Sequence, residues 1–421
     1  MPSIVQAASL AALLCISQSA SAEPVRYING HWFDGSAFTS RPEVVVSDGR
    51  IGGKAAGART VDLRGGYVLA GLAEAHNHNL QNCYLAPQMA QAYLARGVLY
   101  SAQLFATDPA LTQCEALFKG SKAPATAFAR VGVTSSTGHP IGIARTGAKE
   151  AGMTLSFAEL TAGMLVADTV ADLQRDWPRF KATATDFVKV VLIDAVNSAA
   201  NFKRAELDGY NGVTPEVLAA LMPLARRDGL RVVAHVDTAE DFRLAVEAGV
   251  DTIAHLPGYR IDKNKTAGDY RLTDEMARAA AAQGTWVIPT MAASSYYVAA
   301  KPANAAAIGA LYAHNLDLLR KNKVRLLSGS DRFEGSVLDE INALSSSGRF
   351  RPAELLAMAS MQTPRWMYPQ RRVGCLEAGC EASFNVYAGN PVNDLKHLAA
   401  PTLVVKDGAV VARDGKAVRQ D

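Results

Sequence analysis

The chain has little net charge and no run of Lys or Arg: 43 basic and 40 acidic residues leave a formal +3 on 421 residues. Without a basic stripe there is no electrostatic footprint for nucleic acid or an anionic membrane, so a small neutral or mixed-charge substrate is the expected partner. After the first 22 residues no uninterrupted apolar run of about 18 residues occurs, which argues against membrane insertion of the remainder. A Gly-rich dinucleotide fingerprint is missing after the first expected strand, and no solenoid-period repeat is found. Cysteine is scarce, with five residues, and the spacings do not match a zinc knuckle.

The opening stretch "MPSIVQAASLAALLCISQSASA" has no charged side chain, an apolar centre and Ala20-Ser21-Ala22 before Glu23. Residues 1–22 are therefore expected to be a cleaved secretory signal, with the mature chain secreted or periplasmic; the alternative is an apolar N-terminal strand. Leu14 before Cys15 argues against a lipoprotein site. Export leaves Cys83, Cys114, Cys375 and Cys380 in an oxidising compartment, where three pairings are possible. Cys375 and Cys380 could close the tight turn in "GCLEAGCEA".

From Pro24 to Gly71 short β-like runs alternate with turns such as Asp34-Gly35 and Asp48-Gly49, and "ASFNVYAG" and "TLVVKDGAVVARDG" repeat the habit near the other end. The two ends, 23–70 and 372–421, are expected to form one small β-sandwich domain. Between them, 71–371 alternates apolar strands with amphipathic helices, as in "GLRVVAHV" before "TAEDFRLAVEAG". About eight such units imply an α/β fold with a parallel sheet, most economically a (β/α)8 TIM-like barrel; an open doubly wound sheet is the alternative.

Strands of a parallel barrel are buried on both faces, so a polar residue within one requires a reason. Six stand where barrel active sites lie, at carboxyl ends of strands. His76 and His78 in "GLAEAHNHNL" are two apart and share one face of a strand, half of a metal site, although a surface loop holds such a pair equally well. Lys189 interrupts the apolar "DFVKVVLI", where it is either functional or reaching the rim. His235 ends "LRVVAH", His255 ends "VDTIAH" and Asp331 ends "VRLLSGSD". His139, in the Gly-rich "STGHPIG", is a candidate substrate contact, as is Tyr259 in "HLPGYR". His31, His314 and His397 read as surface residues.

This ordered set resembles the amidohydrolase superfamily, in particular its imidazolonepropionase-like and prolidase-like branch of metal-dependent hydrolases. The resemblance rests on "GLAEAHNH", Lys189, "VVAHV", "AGVDTIAH", "LLSGSD" and the closing "NPVNDLKHL…PTLVVKDGAVV", and covers nearly the whole mature chain. Ala70, Glu74 and "GCEASF" depart from the family's usual pattern. The resemblance implies that His76 and His78 bind one ion and His235 and His255 a second, two Zn2+ in all. Lys189, carboxylated by CO2, would bridge them, and Asp331 would bind the first ion and act as the catalytic proton shuttle.

The implied reaction is hydrolysis of an amide C–N bond in a small molecule, such as a dipeptide or N-acyl amino acid, by metal-bound hydroxide. Two alternatives stand beside it. One is a mononuclear cyclic amidase, deaminase or lactonase; the other is a periplasmic metal- or ligand-binding protein without catalysis. Substrate, metal number and a possible homo-oligomer are not decided by the sequence.

Overall fold

The computed structural model describes residues 23–418, except 107, 131 and 263; the expected signal segment, 1–22, lies outside the described residues. The alternating burial of Val25–Phe33 pairs it antiparallel with Phe38–Ser47, from Val25 opposite Val46 to Phe33 opposite Phe38. The joining turn is held by Asp34, whose carboxylate accepts the backbone N–H groups of Ser36 and Ala37. Asp48-Gly49 turns the chain again with both residues at positive φ, 50° and 70°, the geometry that suits a tight hairpin.

Strands from both ends enter a single nine-stranded sheet. The seam is the pairing of Tyr67–Ala70 with Phe384–Tyr387, on whose other side Val25–Phe33 flanks Tyr67–Ala70. Tyr27, Trp32, Val68, Phe384 and Val405 are buried in its core. Directly after this seam the chain passes through Gly71 into Leu72–Asn77. A Cβ at Gly71 would lie 2.7–2.9 Å from Leu99 side-chain atoms, so the crossing point has no room for a larger residue.

Leu72–Asn77, Val98–Gln103 and Ala125–Phe128 form one parallel sheet. A second parallel sheet runs in the order Leu165–Val166, Gly132–Thr134, Phe187–Leu192, Arg231–Val236, Thr252–Ala254, Trp286–Ile288 and Arg325–Leu326. Backbone hydrogen bonds join the two: Asp186 N–H donates to Phe128 O and Ala75 N–H to Ser328 O, each at 2.8 Å. Helices cover the strands between crossings; Ala239–Ala248 starts on a Thr238/Asp241 capping box and stops at Gly249, φ 85°.

All six residues of Leu72–Asn77 and of Phe187–Leu192 are buried, as expected of strands covered on both faces. Some strands are shorter than the apolar runs suggest. Asp331 follows a strand that covers only Arg325–Leu326, and His255 lies one residue beyond Thr252–Ala254. Among the described residues no helix is long and apolar enough to cross a membrane. Both Cys83–Cys114 and Cys375–Cys380 are disulfides.

Candidate metal centre

Strand periodicity and register explain how distant residues converge. Val191 lies opposite His235, and Lys189 opposite Val233, so Lys189, Val191 and His235 project from one face of two neighbouring strands. His235 is in turn opposite Ala254, which brings His255 alongside. Ala75 N–H bonds Ser328 O and Asp331 N–H bonds His76 O, so the last strand delivers Asp331 to the first. His76, His78, Lys189, His235, His255 and Asp331 all line one cavity of 570 Å³.

Asp331 stands at the middle of the cluster. One carboxylate oxygen is 3.2 Å from His78 Nε2 and 3.7 Å from His76 Nε2, and the other is 3.8 Å from His255 Nδ1. Donor atoms of His76, His78 and Asp331 fall within 4.8 Å of one another. The imidazoles of His76 and His255 are 4.8 Å apart and those of His235 and His255 4.5 Å apart. Asp331 and His255 both sit at positive φ, 48° and 76°, a backbone state that non-glycine residues enter rarely and that clusters at functional sites.

Partners outside the cluster orient the rings. His78 Nδ1 meets Gln81 Oε1 and His255 Nδ1 meets Thr290 Oγ1, each at 2.8 Å. His78 Nε2 is thereby left to face the centre. Burial holds His76, His139 and His255 well below the ordinary imidazole range and lowers His235 as well, which favours the neutral form of these rings. Burial also pulls Lys189 down to about 7, against the pull of Asp331. For Asp331, burial acts to raise the pKa, but His76, His78 and Lys189 outweigh it and keep the group ionised.

The donor set suits divalent cations: neutral imidazoles, one carboxylate and an amine able to become an anion. A second observation agrees. Lys189 Nζ and His76 Nδ1 are buried and have no hydrogen-bond partner among the described residues. Orphaned polar atoms on two residues that line one cavity fit a centre completed by a further group.

His139 and Tyr259 also line the cavity. The His139 ring stacks on His235 at 4.9 Å, and Tyr259 stacks on His255 at 4.8 Å. The Tyr259 hydroxyl donates to Asp237, so its polar end is committed to the protein and its ring is what faces the cavity. His314, expected at the surface, is half-buried with Nε2 at 3.0 Å from Leu272 O.

Two buried acids were not among the sequence candidates. Asp237 touches His235 Nε2 at 3.2 Å, accepts from Tyr259 and forms an ion pair with Arg260. Burial would raise its pKa, but Arg260 and His235 hold it below the usual carboxylate range. Its signal was its position two residues after His235, hence on the same side. Glu74, recognised only as a departure from the family pattern, accepts from Ser330 N–H and hydroxyl and from His76 N–H. Burial pushes it up to about 8. It ties the first strand to the segment that carries Asp331.

Comparison with known proteins bears on the fold and the family. The chain is similar over 92% of its length to a Xaa-Pro dipeptidase with bound methionine in its active site, covering 99% of that chain at 20% identity and TM-score 0.71. It resembles the A. niger ochratoxinase at 18% identity and TM-score 0.71, covering 93% and 96% of the two chains. Phenylurea hydrolase B gives TM-score 0.73 at 17% identity, with 94% and 98% covered. These likenesses show a shared TIM-barrel-like α/β fold. No curated protein sequence matches the chain. The model of the amidohydrolase family matches residues 67–412, and the chain accordingly belongs to the amidohydrolase family.

Proposed function

We propose that the protein is an exported, metal-dependent hydrolase of an amide C–N bond in a small molecule. Dipeptides and N-acyl amino acids are the substrates implied by the family resemblance. The observation that carries the reading is Asp331, ionised and within 4 Å of three histidines at the floor of the cavity. The proposed architecture is a closed (β/α)8 barrel, with the sheet of both chain ends as a small sandwich beside it. The backbone bonds that join the first and last parallel strands support closure.

His76, His78 and Asp331 would hold one zinc ion and His235 and His255 a second, with Lys189 between them as a carbamate. Carboxylation joins the neutral Nζ to CO2 and releases one proton. The low pKa of Lys189 supplies that neutral amine near pH 7. Bound divalent ions acidify water and polarise a carbonyl. Asp331 takes the proton of the attacking water and returns it to the leaving nitrogen, acting as base and then acid. Gln81 and Thr290 hold the rings of His78 and His255 in register throughout. Export is supported by two disulfides, which persist in oxidising compartments.

A second reading has one ion. His235 Nε2 already faces Asp237, and the compact donor group is His76, His78 and Asp331 alone. Metal analysis of purified protein separates the two, near two ions per chain or near one. Asp331→Asn, assayed at saturating metal on a panel of amides, is expected to lower kcat by about 10²–10⁴. Unchanged turnover would refute the mechanism.

A further inference from the structure

The cavity above the centre has a chemical character of its own. Its outer lining includes Phe105, Ile143, Met164, Tyr296, Tyr297 and Phe333. Four of these are unusually exposed for large apolar residues: Ile143 55%, Phe333 52%, Tyr296 40% and Tyr297 37%. Aromatic rings continue inward in contact, Tyr297 on Tyr259 at 5.4 Å and Tyr259 on His255 at 4.8 Å. Across from them Phe333 lies 6.1 Å from the His78 ring. An apolar path therefore leads from solvent to the reacting centre.

Charge is nearly missing from this lining. The centre itself contributes Lys189 and Asp331; no arginine and no other lysine, aspartate or glutamate lines the cavity among the described residues. The nearby cations Arg260 and Arg332 do not line it. Arg260 is paired with Asp237, and Arg332 bonds Ser295 while lying over the Tyr296 ring. A free dipeptide would bring an ammonium and a carboxylate into this space, and the lining outside the centre offers a counter-ion to neither. Desolvating an unpaired charge is costly, whereas burying a ring or branched alkyl group against these walls is favourable.

We propose that the centre acts on uncharged amides bearing an aromatic or bulky apolar group, in preference to free dipeptides and other carboxylates. This rests on the C–N hydrolase reading and puts uncharged amides in place of the dipeptides and N-acyl amino acids that the family resemblance implies. Ile143, exposed on the helix Ile141–Glu150 and remote from the metal ligands in sequence, is a specificity-determining position.

The test uses benzanilide, its carboxylated analogue 4-benzamidobenzoate, and phenylalanyl-leucine with the metal-loaded protein. Binding of the two anilides to the metal-free protein is measured in parallel by calorimetry. The expected result is a kcat/KM for benzanilide at least about tenfold above that for 4-benzamidobenzoate, with the same order in binding. Ile143→Arg supplies the missing counter-ion and should reduce or reverse that ratio. Faster turnover of the dipeptide or the carboxylate overturns this inference and leaves the hydrolase reading intact. Tighter metal-free binding of benzanilide without turnover of any amide does the opposite. Equal binding of both anilides, or none, overturns the inference as well.

Discussion

At Lys189 the needs of folding and of chemistry oppose each other. An amine within a fully buried strand is expensive to keep charged, and its pKa falls from 10.5 to about 7. Between those values the unfolded chain holds a proton that the folded chain has lost, so the stability of metal-free protein rises with pH across that window. In CO2-free buffer, urea unfolding at pH 7, 8 and 9 should show a rise of up to ~1.4 kcal/mol per pH unit. Lys189→Met should flatten that rise and be more stable than the native chain near pH 7. Parallel curves for the two proteins would contradict the buried amine. Lys189 was legible in the sequence because a cation inside "FVKVVL" breaks an otherwise uniform apolar strand. Asp237 was not, because an acid just before a helix-starting Thr reads as ordinary capping chemistry.

At the scale of elements, the loop after the Lys189 strand is fastened to the helix after the His235 strand by one side chain. Asp241 accepts from Thr238 N–H and hydroxyl at its own helix start, and from the N–H groups of Asp194 and Ala195 across the gap. Thr238→Ala removes one cap and should cost about 1 kcal/mol. Asp241→Ala strands four donors and should cost about 2–4 kcal/mol, read from the urea midpoint. Equal losses in the two variants would mean that the cross-link between loops carries no load. The helix itself was readable from "TAEDFRLAVEAG", with its capping box and closing glycine. The bridge was not, since the Asp194 loop gives no periodic signal. The short final strand was overestimated for a related reason: "VRLLSGSD" is apolar enough to read as one strand. After Leu326, however, side chains replace part of the ladder, as where Ser328 donates to Ala73 O and Thr363 donates its hydroxyl or accepts nearby.

At the scale of the whole molecule, contacts between distant parts of the chain hold the centre in place. Cys83 and Cys114, 31 residues apart, close a loop that begins just after Gln81, the partner of His78. Replacing both by Ser should lower stability by about 3–4 kcal/mol through the freed chain entropy, seen as a lower Tm. Reductant should reproduce most of that loss in the native chain and change the double variant little; an equal effect on both would assign the stabilisation to Cys375–Cys380. The joining of the two chain ends was legible from their matching Asp-Gly turns, whereas the exact seam was not, because pairing between strands so far apart leaves no local trace. That seam also sets an order of events. Tyr67–Ala70, which leads directly to His76, gains one of its two neighbouring strands only when Phe384–Tyr387 has been synthesised. The proposed first ligands of the centre thus emerge early from the ribosome, yet the strand they follow gains its second neighbour only from a segment made late.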